Sequence, residues 1–469
     1  MSVAIWWIRR DLRLSDNQAL TAALSQANNI IPVFILDPKL LTSASVGERR
    51  VAFLFEGLRS LDSDLHRRGS ALIVRKGDPL KELHILCRET GAKRIFAQAD
   101  TSPYARRRDE HVMRELPLTL TTGLTLNPPE SLIKSDGSPY TVFTPFARMW
   151  HSLPFAGKLL PTPERLSATP GLAGIGVPEL PRSALSSVFP AGEAEAHRRL
   201  DVFLDTVIDH YADGRNRMDL EGTSRLSPYL RFGMLSARQA VWAVHQAEAH
   251  ARDATARQGS ETWLNELIWR EFYATILYFY PGVLHSAYRP QMSTIQWRED
   301  PGGFSAWAEG RTGYPVVDAA MRHLNAIGWM HNRARMIAAS FLVKDLLIDW
   351  RLGEYYFMLH LLDGDPASNN GGWQWVAGTG TDAAPYFRVF NPVLQGKKFD
   401  PHGSYVRRWV TELAGVSDEF IHTPWEMPAD LQAEVGCVIG KNYPSPIIDH
   451  TFARQRALDV FRSGIKGKK

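Results

Sequence analysis

Cysteine is nearly absent: Cys87 and Cys437 are the only two in 469 residues and stand far apart. That excludes a disulfide framework and a four-cysteine zinc site, and it fits a reducing, cytoplasmic compartment. An excess of one charge is also lacking. The 54 Lys+Arg against 50 Asp+Glu leave a net of +4, which permits nucleic-acid binding without arguing for it. No run approaches about 18 apolar residues, so no membrane-spanning helix is expected. The short apolar opening ends at Arg9 and Arg10, unlike a signal peptide. HExxH, CxxC, Gly-x-Ser-x-Gly and Walker motifs are missing, which removes support for zinc proteases, α/β-hydrolases and P-loop enzymes. Asp363-Gly364-Asp365 begins like a calcium loop, but Ala367 and Gln374 stand where its later ligands belong, so no metal is expected. What is present is an ordinary globular composition, 44% hydrophobic and 22% charged, with 14 tryptophans mostly after residue 260.

The first 125 residues alternate between two periods. Val3–Ile8, Ile30–Leu36, Ser70–Arg75, Arg94–Ala97 and Thr119–Leu124 are short and apolar, with several β-branched residues, which predicts strands. Asn17–Ala27, Glu48–Arg68, Pro79–Thr90 and Pro103–Glu115 are amphipathic and predict helices between them. Such alternation predicts an α/β, doubly wound parallel sheet, with ligands beyond the carboxyl ends of its strands. Residues 154–190 hold seven prolines and read as linker. Later stripes such as Leu264, Leu267, Ile268 and Phe272 predict an irregular all-α domain. The expected domains are 1–130, a linker over 131–194, and 195–469. The lysine-rich end at Lys466, Lys468 and Lys469 is expected to fray.

Five segments concentrate chemistry. Gly222-Thr223-Ser224-Arg225-Leu226-Ser227 puts hydroxyls and a glycine before a helix, a pattern that suits phosphate or simple capping. Trp263, Glu266, Trp269 and Arg270 share roughly one helical face, so a carboxylate lies between two indoles. That suits an aromatic ligand with hydrogen-bonding edges, or a core helix with a paired acid. His331-Asn332-Arg333-Ala334-Arg335-Met336 sets two guanidiniums on different faces, one able to meet an acid and one a phosphate. Asp363 to Trp375 crowds two acids, two asparagines and glycines into a loop running straight into Trp373 and Trp375. Lys397, Lys398, Arg407 and Arg408 near Tyr405 and Trp409 fit either a nucleic-acid groove or a solvated face.

Together these residues resemble the DNA photolyase/cryptochrome family, specifically a class I cyclobutane pyrimidine dimer photolyase. The opening Trp7-Ile8-Arg9-Arg10-Asp11-Leu12-Arg13 and the segments GTSRLSPYL, WLNELIWREFY, TGYPVVDAAMR, WMHNRARM and DGDPASNNGGWQW carry the likeness, from about residue 3 to about 450.

The resemblance implies a Rossmann-like antenna domain and a helical domain that binds FAD and DNA. Tyr211, Thr223, Ser224, Arg225, Leu226, Ser227 and Trp263 would contact FAD, as would Asn332, Arg335, Asp363, Gly364 and Asp365. Arg335 would pair with Asp363, and Asn369 would face flavin N5. Excited reduced flavin would pass an electron to a dimer flipped from the duplex, as photolyases themselves do. Trp269 and Trp375 would stack on the dimer. Glu266 would bond its carbonyl edge, with Asn332 and Met336 beside it. Arg215, Arg270, Arg333 and Gln395 would lie on the DNA side. Trp297, Trp350 and Trp373 match the family's electron-transfer chain, although scattered tryptophans alone read as core. A second pigment, 8-hydroxy-5-deazaflavin, would sit near Asp37, Arg50 and Asp100; another flavin, methenyltetrahydrofolate or none are the alternatives. The expected state is a monomer whose partner is dimer-containing DNA.

Two rivals remain within the resemblance. A cryptochrome-type light receptor without repair activity is disfavoured by the short C-terminal tail and by Asn369. A photolyase for the (6-4) lesion would use a histidine pair, where this chain has Asn332 and Met336.

Overall fold

The computed structural model describes residues 2–155, 157–167, 171–179 and 187–466. Parts of the proline-rich stretch, the side chain of Lys466, and Lys468 and Lys469 lie outside the described residues.

Five strands form one sheet: β1 (Val3–Ile8), β2 (Asn29–Leu36), β3 (Ile73–Lys76), β4 (Arg94–Gln98) and β5 (Leu118–Thr121). Every pairing is parallel and the order is β3-β2-β1-β4-β5. The order reverses between β1 and β4, so the switch point of this doubly wound sheet lies past their carboxyl ends. The crossovers carry α1 (Gln18–Gln26), α2 (Glu48–His66), α3 (Pro79–Thr90) and α4 (Pro103–Glu115). Asn17 caps α1 through the Leu20 amide, and Pro79 opens α3 behind the Asp78 cap. Ile5, Trp7, Ile31 and Val33 pack with Leu83, Leu86 and Val112 in one apolar cluster. Burying each such side chain contributes about 1.5–3 kcal/mol.

β3 starts three residues later than the sequence pattern predicts. The amides of Ser70 and Leu72 are already taken, by Leu65 O at 3.0 Å and Asp62 Oδ1 at 2.8 Å.

By contacts the chain divides into two compact units. Unit 1 holds Met1–Ala212, Ser224–Pro281 and Leu362–Ala367; unit 2 holds Asp213–Thr223, Gly282–Leu361 and Ser368–Lys469. The expected boundaries at 130 and 195 do not match this division. The segment expected as linker contains α5 (Phe143–Ser152), whose apolar face buries Phe146, Ala147 and Trp150 inside unit 1. Unit 1 continues through α6 (Ser227–Phe232) and α7 (Ala254–Phe279). The Trp150 Nε1–H donates to Glu271 of α7 at 2.8 Å. Glu271 also accepts the Leu126 amide, and its burial pushes its pKa up.

α6 ends at Gly233 in the left-handed region, φ +65°. A Cβ there would sit 1.9 Å from Arg10 O, so only glycine lets α6 close on the loop after β1.

The helices of unit 2 include α8 (Pro301–Glu309), α9 (Pro315–Ile327), α10 (Asn332–Ser340), α11 (Trp350–His360), α12 (Pro366–Ala377, from Ser368 onward) and α13 (His450–Lys466). A π-helical turn, Phe341–Asp345, follows α10. Trp307, Met321, Leu324, Ile337, Leu342 and Phe357 form its buried centre. No helix among the described residues is long and apolar enough to cross a membrane.

Candidate functional site

In unit 1 the candidate residues gather near the switch point. Arg10 follows β1 and Asp100 follows β4. Arg10 Nη2 donates to Asp365 at 2.7 Å and Nη1 to Asp100 at 3.4 Å. Arg231 Nε donates to Gly364 O at 2.9 Å. Burial pushes the Arg231 guanidinium down to about 9, helped by the like charge of Arg10. Burial likewise lowers Arg50 to about 10, against the pull of Asp363 and Asp365. Burial works against ionising Asp100, yet the Arg10 charge and the Ser102 amide hold its carboxyl well below the usual range.

Three expectations concern residues of this region. Asp365 Oδ2 accepts from Arg10 and Oδ1 from the Ala367 amide at 3.0 Å, so its carboxylate is engaged inside unit 1. Arg270 was expected on the DNA side. Its guanidinium instead donates to Leu124 O at 2.8 Å and Leu230 O at 3.4 Å, an internal role. Of the expected antenna contacts, Asp37 caps the Lys39 amide and accepts from Tyr104, Asp100 accepts from Arg10, and Arg50 donates to Ser45 O at 2.7 Å. All three have partners within the protein.

α7 carries Trp263, Glu266 and Trp269. Trp263 is buried against Phe203 at 4.8 Å, and Tyr211 meets the same Phe203 at 5.6 Å. Glu266 and Trp269 are half-buried. Phe143 stacks flat on the Trp269 indole, 3.8 Å between centroids at 2°. One face is therefore covered, which leaves at most the other for a flat ligand. Along the Thr223–Ser227 segment, Arg225 takes φ +51°, Leu226 is buried and Ser227 is exposed. A non-glycine residue in that region is uncommon and marks a turn whose amides are specially aimed.

Unit 2 places Asn369 on α12 facing α11. Its Nδ2 donates to Glu354 O at 3.0 Å. With the amide nitrogen engaged, Oδ1 remains as an acceptor. The next residue, Asn370, is buried and donates to Glu354 Oε1 at 3.1 Å and to Val283 O at 3.0 Å. Gln374, one turn on, bonds Asn370 Oδ1 at 3.1 Å. Burial pushes Glu354 up to about 7. Sequence reasoning missed Glu354; the signal was an acid in an otherwise aromatic helix, Tyr355-Tyr356-Phe357.

Trp373 is buried beside Trp307 at 6.1 Å and Phe357 at 4.9 Å, and a Cβ on Gly353 would lie 2.1 Å from its ring. Its Nε1–H is buried with no acceptor among the described residues. Trp350 opens α11 and is buried in the same core. Trp297 is half-buried and meets Phe461 edge-on at 6.0 Å. Trp307 was not singled out from sequence.

α10 begins at Asn332, whose side chain is exposed and donates to Met336 Sδ at 3.7 Å. Arg335 Nε donates to Met330 O at 2.8 Å. Arg333 is gripped on two sides: Asn216 Oδ1 accepts from Nη2 at 2.7 Å, and the Phe399 ring lies 4.5 Å below the guanidinium. Burial, then the like charge of Arg215, lowers the Arg333 pKa. Gln395 is half-buried with Oε1 lacking a partner among the described residues, and Trp375 is half-buried against the core.

The groove suggested by residues 397–409 is corrected in part. Tyr405 is buried with its hydroxyl 3.0 Å from His323 Nδ1, and Trp409 stacks on His323 at 4.1 Å. Arg407 pairs with Asp418 at 2.8 Å and Arg408 with Glu221 at 3.4 Å. These aromatics are packing, and the basic fringe is partly neutralised.

Comparison with known proteins identifies the frame. A DNA photolyase model matches residues 4–165, and a model for the FAD binding domain of DNA photolyase matches 263–463. The chain is 40% identical to the deoxyribodipyrimidine photo-lyase of Synechococcus, covering 98% of this chain and 96% of that one. The crystal structure of a bacterial class III photolyase from Agrobacterium tumefaciens is 37% identical, with a TM-score of 0.93, covering 99% of this chain and 98% of that one. That is a different class from the class I suggested by the motifs. An archaeal photolyase from Sulfolobus tokodaii, solved with two FAD molecules, is 32% identical with a TM-score of 0.82, covering 98% and 100%. With such likeness from end to end, the chain belongs to the DNA photolyase/cryptochrome family.

Proposed function

We propose that this protein is a deoxyribodipyrimidine photo-lyase that repairs cyclobutane pyrimidine dimers in DNA under light. The observation that carries the reading is the Asn369 amide, anchored by Glu354 on a chain similar to photo-lyases over nearly its whole length. FAD, when bound and reduced, supplies the light-driven electron for ring splitting.

The residues present fit that cofactor. Asn369 Oδ1, left as an acceptor, would hold a proton at flavin N5. Tyr211 and the Thr223–Ser227 segment, with its left-handed Arg225, would supply hydroxyls and amides for the phosphates and ribityl, and Trp263 and Arg335 would flank them. Asp363 and Gly364 would meet the cofactor, with Asp365 acting from behind by tying the segment to Arg10. Trp373, Trp350 and Trp297 would relay an electron inward to restore the reduced state.

On the lesion side, Glu266 would bond the dimer's carbonyl edge. Trp375 and the open face of Trp269 would cover its rings, with Asn332 and Met336 alongside. Arg333 and Arg215, like charges near one another, suit a phosphate that relieves their repulsion; Gln395 would add a neutral contact. Cytoplasmic residence and a monomeric state complete the proposal. For the antenna, 8-hydroxy-5-deazaflavin remains our choice. The second FAD of the archaeal relative makes a flavin its strongest rival, and the absorption spectrum of the purified protein separates the two.

Glu266→Ala tests the lesion side. Repair per absorbed photon should fall several-fold while flavin absorbance per protein stays constant; an unchanged yield would remove Glu266 from the reaction.

A further inference from the structure

Unit 2 contains a cavity of about 370 Å³ that none of these roles employs. Its walls include Arg298, Asp300, Leu346, Ile447, Phe452 and Arg456. Two of these are cations and one an acid. Asp300 is already engaged: it caps α8 through the Gly303 amide at 2.8 Å and lies 3.4 Å from Arg298 Nη2.

The two guanidiniums feel each other. Burial, and after it the like charge of Arg298, pushes Arg456 down, against the pull of Asp345 and Asp300. Arg456 Nη2 donates to Asp345 O, while its Nε is buried with no partner among the described residues. An anion entering the cavity would relieve that repulsion.

Two apolar residues of the wall are exposed, while Leu346 is buried. Phe452 is 63% exposed and Ile447 41% exposed. The Phe452 ring lies 5.6 Å from the Arg456 guanidinium. A large aromatic left in water beside a cationic cavity suits a flat ring carried on an anionic head. The volume exceeds the need of a lone phosphate and lies at the lower end of small-ligand pockets, about 300–1,000 Å³.

We infer that this cavity binds a phosphate-bearing mononucleotide, the phosphate between Arg298 and Arg456 and the base against Phe452. None of the residues lining the cavity is assigned to FAD, DNA or the dimer.

Calorimetric titration of the FAD-loaded protein with adenosine monophosphate, adenosine and inorganic phosphate tests it. The monophosphate should bind saturably, with adenosine and phosphate each at least about tenfold weaker. Arg298→Gln should weaken the monophosphate about tenfold and phosphate alike. Phe452→Ala should weaken the monophosphate and leave phosphate unchanged. Both variants should keep their flavin and repair rate, since both residues are exposed and outside the proposed reaction. Undiminished monophosphate binding in the double variant would place the ligand elsewhere and overturn the inference. So would no saturable binding by wild type, or equal affinity for phosphate and monophosphate.

Discussion

Arg10 and Arg231 in unit 1 and Arg333 in unit 2 are used in opposite ways. In unit 1, Arg10 is matched by Asp100 and Asp365, and Arg231 by the Gly364 carbonyl and, at 3.7 Å, Asp365. These side chains are mostly buried, and their charges hold the Leu362–Ala367 segment in place. In unit 2, Arg333 is steadied by a neutral amide and an aromatic face, with another cation, Arg215, close enough to depress its pKa. A guanidinium balanced by carboxylates serves architecture. Arg333, held by a neutral amide and a ring with no carboxylate in contact among the described residues, keeps its charge for a ligand.

The contrast can be broken most forcefully at Asp365. Asp365→Ala leaves Arg10 and Arg231 short of an acid in a buried setting, so stability should fall by about 3–5 kcal/mol. Urea unfolding measures it; a loss under about 1 kcal/mol would mean the cluster is not structural.

The next largest effect contrasts a half-buried acid, which has no cation beside it among the described residues, with the ion-paired ones. Glu354 has its pKa raised to about 7 from 4.5. Between those values the folded protein holds a proton that the unfolded chain releases, so stability declines as pH rises through this window, by about 1–3 kcal/mol in all. Glu354→Gln mimics the protonated acid and should flatten that decline. Unfolding midpoints at pH 5, 6, 7 and 8 would show it, and parallel curves for both proteins would contradict it.

Arg333→Ala should barely change stability. It should weaken binding of dimer-containing DNA about tenfold and reduce the slope of log affinity against log salt by about one. The smallest effect is expected at Asn216→Ala, which removes only the grip. Affinity should fall two- to threefold, roughly, at an unchanged salt slope, because the charge remains. A slope change equal to that of Arg333→Ala would erase the distinction between holding a charge and carrying it.

The sheet was legible because strands and helices of the first 125 residues alternate in period, and caps such as Asn17 and Asp78 mark where helices start. Its edges were less so: β3 begins late because α2 captures the Ser70 and Leu72 amides, a contest that periodicity does not record. The 131–194 segment misled for a similar reason. Its prolines suggested a tether, while the apolar face of Phe146 and Trp150 buries α5. Site residues could be named from motifs, but their direction could not. Arg270 and Arg333 were both expected on the DNA side, and only the carbonyls around Arg270 reveal an internal role. Glu354 went unseen because its role lies in a contact between two helices.

The most direct test is ring splitting itself. FAD-loaded, chemically reduced protein should restore a thymine-dimer oligonucleotide to intact thymines under blue light and do nothing in the dark. Light with no splitting, despite full flavin and measurable binding to the damaged strand, would contradict the account.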